Sequence, residues 1–152
     1  MNSYRNDIRE LMIAVNVIDG IYDMIAKKVG VKINALTLLY ALDDGKPHSQ
    51  KRICEEWFIP PTTLNTIVKE YITAGYLYLH TNTGKKEKEI CLTEKGSVFA
   101  RTVLNQVYDL ENSAMKQTLQ TVSRDFIKSL NLFTEHLKEE ARRCFHESKY
   151  SV

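Results

Sequence analysis

Residues 49–96, SQKRICEEWFIPPTTLNTIVKEYITAGYLYLHTNTGKKEKEICLTEKG, decide how this chain folds. Ser49 opens a helix that runs to Trp57, because its hydroxyl can accept a bond from a backbone N–H one turn on. Ile53, Cys54 and Trp57 share one face of that helix. Pro60 pushes Ile59 out of the α region, and Pro61 suits the first turn of a second helix. This second helix, predicted from Pro61 to Ala74, divides into two faces. Leu64, Ile67, Val68, Tyr71 and Ile72 lie on one side and are expected to be buried. Thr62, Thr66, Lys69 and Thr73 lie opposite, flanked by Thr63, Asn65 and Glu70. A merely solvated face commonly carries Glu and Lys, whereas threonines are poor helix formers. Short hydroxyl and amide side chains beside a helix N-terminus can instead reach base edges and phosphates.

Gly75 ends the second helix. Tyr76 to Thr81 alternates as a strand, and Asn82-Thr83-Gly84-Lys85 forms a turn in which Gly84 can take a positive φ. The return strand, Lys86 to Thr93, sets Lys86, Lys88, Ile90 and Leu92 on one face and Glu87, Glu89 and Cys91 on the other. Lys85 and Lys86 therefore stand at a projecting tip, suited to pairing with phosphate, although lysines are commonplace at hairpin tips. Helix, turn, polar-faced helix and hairpin is the order of a winged helix-turn-helix. The candidate DNA contacts are Ser49, Gln50, Pro61, Thr62, Thr63, Asn65, Thr66, Lys69, Lys85 and Lys86.

Outward from this core, Asn34 to Asp43 reads as a short apolar helix capped by Asn34, with Leu36, Leu39, Tyr40 and Leu42 in the core. Asp43-Asp44-Gly45-Lys46-Pro47 is the loop after it. A long helix spans Asp7 to Val29 and carries two apolar stripes. Ile8, Leu11, Met12, Val15, Ile18, Tyr22, Ile25 and Val29 form one; Val17, Ile21 and Met24 form the other. Lys27 and Lys28 complement its C-terminal dipole, and Gly30 stops it. The C-terminal third repeats the surplus. One helix from Thr93 carries Phe99, Val103, Val107, Leu110 and Ala114. A second, from Thr121 or Ser123, carries Phe126, Leu130, Phe133, Leu137, Ala141 and Phe145. A small core offers too little surface to cover such faces, so the terminal helices are expected to interlock with a second copy. The alternatives are a monomer that buries these faces on its own domain, or a coiled-coil hairpin.

The resulting expectation is a mainly α chain with a small β-hairpin wing. Residues 1–33 form an N-terminal dimerisation helix, 34–100 the winged helix-turn-helix core, and 101–152 the C-terminal dimerisation helices, all in one intertwined domain. A two-fold pair would set its recognition helices one helical turn of DNA apart, ~34–36 Å, and read a pseudo-palindrome.

Composition excludes more than it selects. Of the 152 residues, 43% are hydrophobic, and no apolar run approaches the ~18 residues of a membrane span. The stretch Met1 to Asp7 lacks a signal-peptide pattern, which points to the cytoplasm. The net charge is only +2, so non-specific affinity for nucleic acid should be modest and salt-sensitive. Cys54, Cys91 and Cys144 show no metal-ligand spacing, and an odd count fits a reducing compartment. Cys54 falls on a core face; Cys91 and Cys144 are the thiols a redox role would use. His48, His80, His136 and His146 are too scattered for ligation or a catalytic dyad. No nucleophile–base pair, phosphate loop or cofactor motif is present, so an enzyme ranks last.

The same segment resembles the MarR family of bacterial transcriptional regulators from Asn34 to Ala100. Pro47 to Glu56 is similar to the first helix of the family's motif, Pro61 to Glu70 to its recognition helix, Ala74-Gly75-Tyr76-Leu77 to its exit, and Leu92-Thr93-Glu94-Lys95-Gly96 to the tail after its wing. The chain departs from the pattern at Phe58, where the family often has glycine, and at Thr66, where arginine is common. The wing reads Gly84-Lys85-Lys86 in place of an Asp-Arg pair, and lysine keeps the charge but loses bidentate bonding. The resemblance implies a homodimer on double-stranded DNA, probed by a small aromatic or phenolic effector in a cleft that Tyr22, Tyr40 and His48 would border. Some relatives respond instead to oxidation. The competing reading is a winged-helix module for protein–protein contact with weak or no DNA binding, which the near-neutral core, Thr66 and Glu70 motivate.

Overall fold

The computed structural model describes residues 4–81, 84 and 87–145, and the chain forms two compact units, Met1–Val107 and Tyr108–Val152. The first holds α1 (Arg5–Lys28), α2 (Ile33–Leu42), β1 (His48–Ser49), α3 (Gln50–Trp57), α4 (Pro61–Thr73), β2 (Leu77–Thr81), β3 (Lys88–Leu92) and the start of α5 (Glu94–Thr118). The strands make an antiparallel sheet in the order β1-β3-β2.

Local chemistry sets the helix ends. The Ser49 hydroxyl accepts the Arg52 N–H at 3.2 Å and caps α3. At the end of α4, Gly75 adopts φ 79°; its N–H donates to the Ile72 carbonyl at 2.9 Å, and the Tyr76 N–H to the Tyr71 carbonyl at 2.8 Å. Gly30, at φ 80°, closes α1 in the same way. Only a residue without a Cβ takes this left-handed turn at little cost.

The core joins Leu38 and Leu42 of α2, Ile53 of α3, Leu64, Ile67 and Val68 of α4, and Leu77 and Ile90 of the sheet. Ile59, extended ahead of Pro60, completes it at 2% exposure. Leu36 and Leu39 are also buried, while Tyr40 is half-buried. Each fully buried aliphatic side chain here contributes about 1.5–3 kcal/mol of transfer free energy.

Several expectations need correction. Asn34 does not cap α2: Lys32 holds that position and its carbonyl takes the Ala35 and Leu36 N–H groups, which places Asn34 inside the first turn. Ile72 is exposed and Tyr71 half-buried, because α4 runs past the core and Tyr71 meets the Tyr76 and Phe99 rings edge-on. Trp57 is partly exposed at the end of α3, tilted against Tyr40 with ring centroids 5.6 Å apart. Strand alternation fails on β2: Leu77 is buried but Leu79 is exposed, since the hairpin leaves the core behind. On β3 both Ile90 and Cys91 are buried, the second against its cross-strand neighbour Tyr78. The pairing of β1 with β3 was not expected; a two-residue strand is too short for periodicity to register.

Phe58 is the non-glycine residue with positive φ (51°) among the described residues, and it is 70% exposed. Left-handed backbone costs an L-residue roughly 1 kcal/mol, and an exposed ring recovers little of it by packing. Phe58→Gly should therefore raise unfolding free energy by up to about 1 kcal/mol in chemical denaturation. A loss of stability instead would mean that the ring holds the turn.

The second unit consists of the end of α5 and α6 (Asp125–Cys144). None of its described residues, from Tyr108 to Phe145, is buried. Leu130, Leu132 and Leu137 are all more than 40% exposed on α6. On α1, only Ile25 and Ala26 are buried, whereas Ile13, Val17, Ile18, Ile21 and Met24 stand open.

Candidate nucleic-acid interface

The buried side of α4 determines what its other side presents. With Leu64, Ile67 and Val68 pinned in the core, Thr62, Asn65, Thr66 and Lys69 are all exposed along one outward strip, and Thr63 is half-buried beside it. Pro61, also exposed, occupies the first turn, and no side chain caps this helix N-terminus. Uncapped N–H groups and the helix dipole favour an anion there. The Thr66 hydroxyl donates to the Thr62 carbonyl at 3.0 Å, and Thr73 donates likewise to Lys69. Their hydroxyl oxygens therefore point outward chiefly as acceptors.

The α3 contribution is narrower than the sequence suggested. The Ser49 oxygen is engaged in its cap, and both Ser49 and Gln50 are half-buried. The exposed cations of α3 face carboxylates on the same helix: Arg52 Nε donates to Glu56 Oε1 at 2.7 Å, and Lys51 Nζ lies 3.9 Å from Glu55 Oε1. The Glu56 bond and charge hold the Arg52 guanidinium above its ordinary pKa. Between Ser49 and Gly96 seven Lys and Arg stand against six Asp and Glu; Lys69 on α4 and Lys88, at the outer end of the wing strands, are both exposed. Gly84 takes φ 99° in the wing turn. Lys85 and Lys86 lie outside the described residues.

Behind the wing, His48 is buried, with its Nε2 2.9 Å from Asp44 Oδ1. Burial pushes the Asp44 carboxyl up, but the bonds from His48 and the Lys46 N–H and the nearby positive charge outweigh it and hold the group below its usual range. This contact pins the 43–47 loop to β1. The loop also borders a cavity of about 440 Å³, lined by Leu42, Lys46, Pro47, Tyr78, Cys91 and Arg101 among others. Tyr22, Tyr40 and His48 do not line it. Cys54 is half-buried, and burial first, then Glu55, raises its thiol pKa, so little thiolate is present at neutral pH. Among the described residues, no three His, Cys, Asp or Glu side chains group as metal ligands would, and no helix is long and apolar enough to cross a membrane.

Residues 29–86, from the end of α1 through α4 and β2 and stopping short of β3, match the model of the MarR family. That stretch resembles the MarR family. Solved MarR structures show how far its architecture extends along the chain. A MarR family regulator from Neisseria meningitidis superposes with a TM-score of 0.71 at 18% identity, covering 95% of this chain and 97% of its own. The transcription regulator MarR from Oenococcus oeni gives 0.65 at 20% identity, covering 86% and 97%. The transcriptional regulator BldR from Sulfolobus solfataricus gives 0.70 at 13% identity, covering 90% and 99%. At these identities the likeness concerns the fold, and it covers 86–95% of the chain. No curated protein matches in sequence. The MarR winged helix is thus the mainly α fold with a small sheet that the sequence indicated.

Proposed function

We propose that this protein is a homodimeric, sequence-specific DNA-binding transcriptional regulator that reads a pseudo-palindromic operator. One observation carries the reading: the threonine- and asparagine-lined strip of α4 faces outward because its opposite side is locked in the core. The match of residues 29–86 to the model of the MarR family supports it. The open apolar faces of α1 and α6 support the pairing of two copies. Lys69 and the wing lysines Lys85 and Lys86 take phosphate; Asn65, Thr62 and Thr66 read base edges; Ser49, Gln50, Pro61 and Thr63 flank them. Repression relieved by a small aromatic or phenolic acid is the finer form of this reading. The cavity beside Lys46 and Arg101 suits an anion with an apolar body. Such a ligand acts by binding one spacing of the DNA lobes better than the other.

Fluorescence anisotropy with duplexes spanning the DNA upstream of the coding region tests the reading. Sequence-preferring binding that weakens with salt is expected. Asn65→Ala should relax base preference at one position of each half-site, by about 1–3 kcal/mol. Lys69→Ala should weaken every duplex alike and shallow the salt slope by about one. Uniform weakening by both would remove Asn65 from the role of reader. The near-balanced charge and the self-paired cations of α3 favour a second reading, a winged helix that docks protein. A folded dimer with no duplex preference at moderate salt would select it.

A further inference from the structure

The end of the recognition helix is tied to the first turn of α5, which lies in the same unit. Three successive carbonyls leave α4 at Ala74, Gly75 and Tyr76, and residues 93–95 take all three. Lys95 Nζ donates to the Ala74 oxygen at 2.7 Å. The Thr93 hydroxyl donates to the Gly75 oxygen at 2.7 Å and lies 3.2 Å from that of Tyr76, which also accepts the Thr93 N–H at 2.9 Å. The same Thr93 oxygen accepts the Gly96 N–H at 2.9 Å, the position an N-cap serves. One side chain therefore caps the start of α5 and ties down the exit of α4.

Rings reinforce the link. Tyr76 stacks on Phe99 of α5 with centroids 4.2 Å apart and planes within 6°, and Tyr71 of α4 meets both rings edge-on. Lys95 Nζ sits 4.9 Å from the centre of the Tyr76 ring, on which a cation is stabilised. Its ammonium thus faces both the negative end of the α4 dipole and an aromatic face.

We propose that Thr93 and Lys95 are positioning residues that lock the axis of α4 to that of α5, so that the recognition helix follows α5 as one body. This rests on the DNA-binding reading above. In a two-copy protein, such a lock ties the distance between recognition helices to the placement of the two α5 helices. Its loss should show as tolerance of wrong half-site spacing, which lost stability alone would not produce.

The test uses the full chain and duplexes that the wild-type protein itself selects from a random pool. Each is compared with versions carrying one base pair inserted or removed at the centre. Lys95→Met keeps the stem and drops the charge; Thr93→Val keeps the shape and drops the hydroxyl. Both should bind the selected duplex about fivefold more weakly and lose discrimination against altered spacing by a similar factor. Lys95→Arg and Thr93→Ser should restore both. Equal weakening at every spacing, or unchanged discrimination, overturns the lock while leaving DNA binding intact. Failure of the wild-type chain to select any duplex overturns the DNA-binding reading, and the proposal with it. Because Lys95 is exposed, its variants remain folded even where those of Thr93 do not.

Discussion

Gly96→Ala is expected to cost the winged-helix unit about 3 kcal/mol or more, the opposite sign to an ordinary helical glycine. In an open helix the same change gains about 1 kcal/mol, because alanine loses less backbone entropy. Gly96 lies in the first turn of α5, packed on the exit of α4 at Tyr76. A Cβ there would stand 1.9 Å from the Tyr76 carbonyl oxygen and 2.8 Å from its carbon. Both atoms belong to backbone, and the oxygen already accepts from Thr93. Neither can swing aside as a side chain would, so α5 must lift and break the Thr93 and Lys95 bonds. Chemical denaturation of the variant measures the cost; unchanged or raised stability would show that the two segments can part freely. Gly20, beside which a Cβ meets nothing within 4 Å, provides the control.

Val17→Glu combined with Ile21→Glu should convert the protein to a single-copy particle of 17.6 kDa. Val17 and Ile21 are 55% and 44% exposed on α1, one turn apart, with Ile13 and Met24 extending the row. In one copy both positions are exposed, so the new carboxylates stay in water. In a dimer sealed by this face they bury four carboxylates without partners, at several kcal/mol each. Sedimentation reads the mass directly. With one half-site left to each particle, operator affinity should fall about a hundredfold or more, because the second contact no longer benefits from the first. Identical masses for variant and wild type would remove α1 from the interface.

The residues that made the fold legible are those whose chemistry acts locally. Ser49 announced its cap, Pro61 its first turn, and Gly75 and Gly30 their left-handed stops, each through bonds spanning one helical turn. The α4 stripe of Leu64, Ile67 and Val68 registered for the same reason, since a helix maps spacing directly onto direction. Ile72 and Leu79 misled because their apolarity says nothing about where the core ends; α4 and the hairpin both outrun it. The β1 pairing and the His48–Asp44 contact were illegible because two residues carry no period and the bond depends on where a loop lands. For the candidate interface, the outward strip was readable from α4 alone, and the i,i+4 spacing of Lys51–Glu55 and Arg52–Glu56 carried the self-pairing of the α3 cations in the same local way.

By itself, then, the sequence determined the cap of α3, the first turn of α4, the stops of α1 and α4, the outward side of α4 and the excess of apolar surface at both ends, since each follows from neighbours within a few residues. Tertiary structure alone decided that the exit of α4 and the entry of α5 share one set of bonds. Tyr76 and Gly96 lie twenty positions apart, and no local preference records which backbone will come to rest against a missing Cβ.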